Sequence, residues 1–351
     1  MDKASRILRM SPRTGSETVA IDKLDRQILH GLQLSPRVPF ARLAAVLGVS
    51  EQTVARRYQR MRTQGVVRVF GTADPSRAPG VTTWLVRIGC RPGTAAGLAD
   101  ALARRTDAGW VTIDAGGAQL TCSVRTSDDR RGVREDLLHH LPRAANVLSV
   151  SAHQVLHRFV GRGEADWVAA DDQLDLDQRR DLLSRQDDDA DHGDARIEAA
   201  DRQLLVALAH DGRASYAALA DATGWTQRKV ALRLAALTAS GALYFDLDAA
   251  VTLLGFRTMA HLWFTVAPSD LAAVGAQLAD HRRLAWAAAV TGPAAIVANA
   301  LCRDAAELYR YLTTEVAAIP QVRSCETVPI HDRVKQAVSL VDGGVLRGPV
   351  V

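Results

Sequence analysis

Leu24-Asp25-Arg26-Gln27-Ile28-Leu29 returns 176 residues later as Ala200-Asp201-Arg202-Gln203-Leu204-Leu205. The same shift carries Arg37 onto Arg213, Leu43-Ala44 onto Leu219-Ala220, Gly48 onto Gly224, Val54 onto Val230 and Gly65 onto Gly241. It still holds far downstream, from Gly116 to Gly292 and from Asp128 to Asp304. Solenoid units run roughly 20–50 residues, so a period this long marks duplication of a whole two-part module. Every functional expectation must therefore be asked of both copies.

Each copy begins with three short helical patterns. In the first, Leu24, Ile28, Leu29 and Leu32 mark one helix and Phe40, Leu43, Ala44 and Leu47 a second. Gly48 punctuates, Ser50 can cap, and a third helix runs to about Arg62 before Gly65 stops it. From Val66 the pattern turns to short β-rich runs. Strand Thr82–Cys90, helix Thr94–Arg105, strand Trp110–Ala115, strand Ala118–Thr126, helix Arg130–Leu141 and strand Val147–Val155 give β-α-β-β-α-β, the ferredoxin-like order. The second copy repeats it with Met259–Val266, Asp270–His281, Leu284–Thr291, Ala294–Cys302, Ala305–Ala318 and Val322–Val328. The fold class is α+β: tandem three-helix domains of winged or helix-turn-helix type, each followed by a ferredoxin-like unit.

The expected domains follow. Residues 1–19 form a disordered basic arm, 20–74 the first helix-turn-helix domain and 80–160 the first ferredoxin-like unit. Residues 161–196 form a linker, 197–250 the second helix-turn-helix domain, 255–332 the second unit and 333–351 a tail. The linker is strongly acidic: Asp171, Asp172, Asp175, Asp177, Asp181 and Asp187-Asp188-Asp189 stand in it with few basic residues. Such a segment reads as solvated chain with one short helix near Leu174–Leu183, or as an acidic competitor for a basic face.

Bulk properties narrow the class. Hydrophobic residues at 48% and charged residues at 23% are ordinary for a soluble globular protein. Four cysteines, Cys90, Cys122, Cys302 and Cys325, lack paired metal spacing and read as reduced thiols of a cytoplasmic protein. The first twenty residues hold no apolar core of a signal peptide, and no apolar run reaches the roughly 18 residues of a membrane span. His153 and His157 are four apart in a strand-like run without further donors, so no metal site is expected. No Gly-rich phosphate loop, Ser-His-Asp set or catalytic carboxylate pair stands out, and neither a cofactor nor an enzymatic activity is expected.

The third helix carries the chemistry. Val54, Tyr58 and Met61 fall at i, i+4 and i+7 and form its inner face. Gln52, Thr53, Arg56, Arg57 and Arg60 lie largely outside, with Ser50 at the cap and Arg37 upstream. Arginine can bridge guanine O6 and N7, and glutamine can pair with adenine, each such contact being worth roughly 1–3 kcal/mol of discrimination. In the second copy Val230, Leu234 and Leu237 keep the inner face, and Arg228, Lys229 and Arg233 supply the outer one. Arg56 and Arg60, however, become Leu232 and Ala236. Residues 20–72 hold nine basic against three acidic residues, whereas residues 197–248 hold five against six. The first copy is therefore expected to be the principal DNA binder, and Arg57 to matter more than Arg233.

These residues resemble the Lrp/AsnC (feast/famine) transcription regulators. Leu24-Asp25-Arg26-Gln27-Ile28-Leu29 is similar to that family's first helix, Arg42-Leu43-Ala44-Ala45-Val46-Leu47-Gly48-Val49-Ser50 to its second helix and turn, and Arg57 to Val67 to the end of its recognition helix. The ferredoxin-like units resemble its RAM domain, and the whole chain its tandem, two-copy form in bacteria. The resemblance implies sequence-specific DNA binding, pairing through RAM sheets within the chain or into homodimers and higher oligomers, and often control by a small amino-acid-like effector. Effector contacts would fall at Gly116, Gly117, Gln119 and Gly292. Neither turn, Gly116-Gly117-Ala118-Gln119 or Gly292-Pro293-Ala294-Ala295, carries the carboxylate typical of amino-acid-responsive members. The alternative is a siroheme decarboxylase-like enzyme on the same fold. The stretches Trp110-Val111-Thr112-Ile113-Asp114 and Ala285-Trp286-Ala287-Ala288-Ala289 lack the basic cluster an acidic tetrapyrrole needs.

Overall fold

The computed structural model describes residues 20–78, 80–127, 137–161, 167–169, 172–183 and 194–350. The first head contains α1 (Lys23–Leu34), α2 (Phe40–Leu47) and α3 (Glu51–Thr63). Its boundaries follow side-chain chemistry. Asp22 and Asp25 form a reciprocal capping box that satisfies backbone N–H groups at the start of α1. Gly48 ends α2 in the left-handed conformation, at φ 66°, and Ser50 Oγ then accepts the Thr53 N–H at 3.2 Å to open α3. Strand β1 (Val67–Ala73) leads out.

The first RAM-like unit holds β2 (Val81–Cys90), α4 (Ala95–Ala103), β3 (Ala108–Asp114), β4 (Gln119–Ser127), α5 (Leu137–His140) and β5 (Val147–Val160). Most of the helix expected over Arg130–Leu141 lies outside the described residues, as does the basic arm. A linker helix α6 (Leu176–Leu183) precedes the second head, which contains α7 (Arg202–His210), α8 (Tyr216–Thr223), α9 (Gln227–Ala239) and strand β6 (Leu243–Ala249). The second unit comprises β7 (Thr258–Val266), α10 (Leu271–Ala279), β8 (Leu284–Val290), β9 (Ile296–Cys302), α11 (Ala305–Tyr311) and β10 (Val322–Arg333). A π turn over Leu312–Val316 extends α11. The tail is no loose end, because β11 (Ser339–Asp342) and β12 (Val345–Pro349) form a hairpin.

Two strands run further than the sequence pattern indicates, and the overhang joins the halves. Val147 to Gln154 of β5 pair with β2, whereas Val155 to Val160 pair with β8. Val322 to Pro329 of β10 pair with β7, whereas Ile330 to Arg333 pair with β3. The result is a closed barrel in the order β10-β3-β4-β2-β5-β8-β9-β7. Closure removes the free edges each four-stranded sheet would expose alone, so the two units form a pair built into one chain.

The heads are joined by a two-stranded ribbon. β1 and β6 pair antiparallel from Val67↔Ala249 to Ala73↔Leu243, with Phe70 opposite Asp246 at the centre. Phe70 and Asp246 are themselves 176 residues apart, so the axis relating the copies passes through this pair. The two cores are less alike. That of the first head continues into Leu247, Ala249, Val251, Leu254 and Phe256 from the second half of the chain. It also takes in Val168, Leu174 and Leu182 from the linker. The core around Leu204, Leu208, Leu219, Val230, Leu234 and Leu237 belongs to the second head.

The described part of the linker is consequently docked along one face, with its charged side still in solvent. Leu174 and Leu182 are buried, the Leu174 N–H donates to His30 Nδ1 at 2.9 Å, and Gln178 Nε2 donates to the Val46 carbonyl at 3.2 Å. Its charge pattern concealed two leucines at the spacing of a docking face.

Candidate nucleic-acid interface and barrel interior

The two reading helices share an apolar inner face: Val54, Tyr58 and Met61 on α3, and Val230, Leu234 and Leu237 on α9, are all buried. Outward residues meet different fates. Gln52 and Arg56 are exposed on α3 and have no partner among the described residues. Ser50 and Thr53 share a hydroxyl contact at 2.8 Å, so both are committed first to the helix start. Arg57 donates through Nη1 to Asp22 at 2.6 and 2.8 Å and to Asp25 Oδ1 at 3.0 Å, and Arg60 pairs with the other Asp25 oxygen. The hydrogen bond to Asp22 raises the Arg57 pKa above its ordinary value, burial opposing it. Arg57 thus ties α3 to α1 rather than standing free above the helix.

The second head keeps that tie. Arg233 donates to Asp201 at 2.6 and 2.9 Å and to the Arg196 carbonyl at 2.7 Å. Burial pushes the Asp201 carboxyl up, but the hydrogen bonds of Arg233 and the Glu198 N–H outweigh it and hold the pKa below the usual range. Arg228 is exposed, and Lys229 lies 4.2 Å above the Trp225 ring. Where the first helix shows Arg56, the second shows Leu232, 63% exposed.

Arg37 sits where the heads meet. Its guanidinium donates to the carbonyls of Gly212 at 2.5 Å and Ala214 at 3.1 Å and stacks near Phe245 and Tyr216. Arg213 answers by donating to Pro36 at 2.7 Å and Val38 at 2.8 Å, with its plane 4.1 Å from the Phe40 ring. Burial lowers the pKa of both. The sequence-based charge balance therefore overstates what the first head offers a phosphate. Arg26 is held by the Leu254 carbonyl and Asp172, Arg42 by the Asp181 carbonyl, Arg62 by Asp211 and Arg68 by the His210 carbonyl. With Arg37, Arg57 and Arg60 also engaged, Lys23 and Arg56 remain without partners among the described residues.

Within the barrel, the turn after β3 places Ala115, Gly116 and Gly117 successively at φ 48°, 68° and 90°, and added Cβ atoms on the two glycines would meet open space. Gly292 is packed differently, since a Cβ there would lie 2.5 Å from His153 Nδ1. Gln119 Oε1 accepts from Arg87 at 3.2 Å. A carboxylate does stand beside the first turn, one that the sequence reading passed over. Asp114 is fully buried, and neither of its oxygens has a hydrogen-bond partner. His261 Nε2 lies 3.6 Å away, close also to Thr112 Oγ1 at 3.1 Å, and its Nδ1 is 2.7 Å from Asn299 Oδ1. Asp114 was visible as an acidic residue ending an apolar strand, but nothing in the pattern showed which way it pointed. The repeat replaces Asp114, Thr112 and His261 by Val290, Ala288 and Leu85, so one junction of the barrel is polar and its counterpart apolar.

Among the described residues no group of three or more His, Cys, Asp or Glu is placed to hold a metal, and no helix is long and apolar enough to cross a membrane. Burial pushes the thiols of Cys122 and Cys302 up to about 12.

Two helix-turn-helix heads on a paired ferredoxin-like barrel define a tandem, two-copy architecture. The AsnC-type helix-turn-helix domain matches residues 21–62 and again 198–238, and the Lrp/AsnC ligand binding domain matches residues 259–340. The chain belongs to the Lrp/AsnC family, in tandem form. It is 28% identical over 130 residues to an uncharacterized HTH-type transcriptional regulator of Pyrococcus furiosus, covering 37% of this chain and 87% of that protein. It is 33% identical over 52 residues to the HTH-type transcriptional regulator FL11 of Pyrococcus abyssi, covering 15% and 34% of the two chains. Among solved structures, the siroheme decarboxylase NirDL aligns at a TM-score of 0.60 and 11% identity, covering 90% of this chain and 93% of that one. At that identity the match shows a shared tandem fold and no more.

Proposed function

We propose that the protein is a sequence-specific, double-stranded DNA-binding transcription regulator, with α3 of the first head as its main reader. One observation carries the reading: Gln52 and Arg56 stand outward and, among the described residues, unpartnered on a helix whose other basic residues are engaged within the head or across to its partner. Both side chains match base edges of the major groove. Arg228 and Lys229 give the second head a contact to phosphate, without the central arginine. Gel shift against duplexes selected from a random pool, at graded salt, tests this. Arg56→Ala is expected to weaken specific binding by roughly 1–3 kcal/mol while leaving non-specific binding nearly unchanged. Equal loss on all sequences would make Arg56 a phosphate contact, and retention of the selected duplex at full affinity would remove α3 as the reader.

Effector control is the second element of the proposal. Gly116, Gly117, Gln119 and Gly292 border the turns, and Asp114 supplies a carboxylate suited to an ammonium group. Calorimetry with an amino-acid panel, repeated on Asp114→Asn, tests it.

The shared tandem fold of NirDL supports a rival, enzymatic reading. Against it, Arg87 is held by Glu326 at 2.6 and 2.9 Å, and His153 contacts the Thr291 carbonyl at 2.8 Å. The discriminating observation is colour: protein that binds siroheme and releases carbon dioxide would replace the regulator reading.

A further inference from the structure

We propose that Arg37 and Arg213 are positioning residues that lock the two heads into one rigid bipartite reader, so that the chain accepts two half-sites at a single spacing. The inference rests on the DNA-binding reading above and adds to it a determinant of specificity that touches no base.

Each arginine leaves the α1–α2 or α7–α8 turn of its own head and grips two carbonyls in the same turn of the other: Arg37 those of Gly212 and Ala214, Arg213 those of Pro36 and Val38. A planar guanidinium can span two carbonyls and stack on a ring at once, which a lysine ammonium cannot do. Both stack on the partner head, Arg37 over Phe245 and Tyr216, and Arg213 over Phe40 and Tyr58. Tyr58 lies in α3 itself, so Arg213 packs directly against the back of the reading helix.

The surroundings leave little play. The Gly212 N–H donates to the Val69 carbonyl at 2.9 Å, and a Cβ on Gly212 would come within 2.7 Å of the Phe70 backbone. The β1–β6 ribbon runs through the same contact. Among the side-chain contacts between the heads these grips obey the repeat on both sides, as the backbone ribbon does; the flanking contacts of Arg62 and Arg68 have no counterpart, since their equivalents are Thr238 and Tyr244. What the duplication kept at the head-to-head contact is the backbone ribbon and, in side chains, the pair of arginines.

A rigid pair of reading helices fits half-sites about 10–10.5 bp apart, or multiples of that, on one face of the duplex. Inserting about 5 bp turns the second half-site to the opposite face. A rigid reader then loses simultaneous engagement, roughly ten- to hundredfold in affinity, whereas a hinged one retains it.

The test uses the full chain and a duplex selected by it from a random pool, with spacers lengthened by one to ten base pairs. The wild type should show a sharp minimum near the half-turn insertion and recovery after a full turn. Arg37→Ala with Arg213→Ala should flatten the profile to within about threefold, and Arg37→Lys with Arg213→Lys, which keeps the charge, should fall between. A spacing profile unchanged in the alanine pair, or absent from a wild type that does bind, overturns the inference and leaves the regulator reading standing. A DNA-independent measurement separates the two. Spin labels at Gln59→Cys and Ala235→Cys, in a Cys325→Ser background, should give one narrow distance that broadens in the alanine pair. An equally narrow distance in that pair overturns the inference, and failure of the wild type to bind any duplex overturns the regulator reading.

Discussion

The two heads have the same skeleton and stand in opposite circumstances. His30 in the first is completely buried beneath the linker, and its counterpart Val206 in the second is 40% exposed. Arg42 reaches a linker carbonyl, whereas the equivalent Ala218 is exposed. Asp25 serves two arginines, and Asp201 serves one, because Arg60 has become Ala236. The first head is thus the better anchored, and its arginines are largely the means of anchoring. A count of basic residues measures attraction to phosphate only after those that bind the protein itself have been removed.

The largest effect that could break this comparison is at Asp25. Removing a fully buried carboxylate strands Arg60 and leaves Arg57 with Asp22 alone, and Asp25→Ala is expected to destabilise the first head by roughly 3 kcal/mol, softened because both arginines can partly rehydrate. Asp201→Ala touches a single arginine, which keeps the Arg196 carbonyl, and should cost roughly half as much. Chemical denaturation followed at each head checks it, and equal losses would mean that Arg60 contributes nothing.

Much of this was legible in the chain, and its limits have a physical cause. The repeat, the heads and the β-α-β-β-α-β order follow from apolar periodicity, which is local. Pairing between halves is not local: nothing in Leu156-His157-Arg158-Phe159-Val160 tells whether these residues continue a strand toward β8 or end it. The same holds for the site. Gln52 and Arg56 stand outward as helical spacing requires, but Arg37, Arg57 and Arg60 are indistinguishable from them in sequence, since their partners lie across a helix or across the pseudo-axis. The docked linker was hidden for a similar reason, since composition reports the exposed face and two leucines decide the buried one.

The second head has an anchor of its own, and it titrates. Asp248 on β6 accepts the N–H groups of Ala337, Val338 and Ser339, and Gln336 bonds both ways with Ala249. Beside them Lys335 is buried, with its ammonium on the Arg105 carbonyl at 2.6 Å. Burial, aided by Arg125, lowers its pKa to about 8. Between pH 8 and about 10.5 the unfolded chain therefore binds this proton more readily than the folded one, so the contribution of Lys335 to stability rises with pH across that window. The buried thiols, with pKa values pushed up, act in the opposite sense. The informative quantity is the stability of the wild type minus that of Lys335→Met, which should shift in favour of the wild type by roughly 2 kcal/mol from pH 8 to 10.5. A difference independent of pH would show that Lys335 titrates normally.

The linker supplies the next contrast. Leu182→Ala removes a buried leucine from the core of the first head, and because the short strap can settle into the gap the cost is expected near 2 kcal/mol, at the low end for such a change. Amide exchange should speed up in α1 and α2 and stay unchanged in α7 and α8. Faster exchange in both heads would show that they unfold as one unit, and the comparison would then describe packing rather than separate stabilities.

The smallest effect bears most directly on function. Leu232→Arg restores on α9 the outward arginine that Arg56 provides on α3, on a surface where Leu232 is already exposed and packs little. Stability should hardly change. If the second head already lies against the duplex, the added charge meets a phosphate or base edge and binding strengthens by less than about 1 kcal/mol, with the dependence of log affinity on log salt steepening by about 0.9, the value for one further neutralised phosphate. If the second head is held away from the duplex, neither quantity moves, and the exposed leucine marks a face turned to some other surface. The salt slope is the more decisive reading, because a gain in affinity can come from general attraction, whereas a unit change in slope counts a contact.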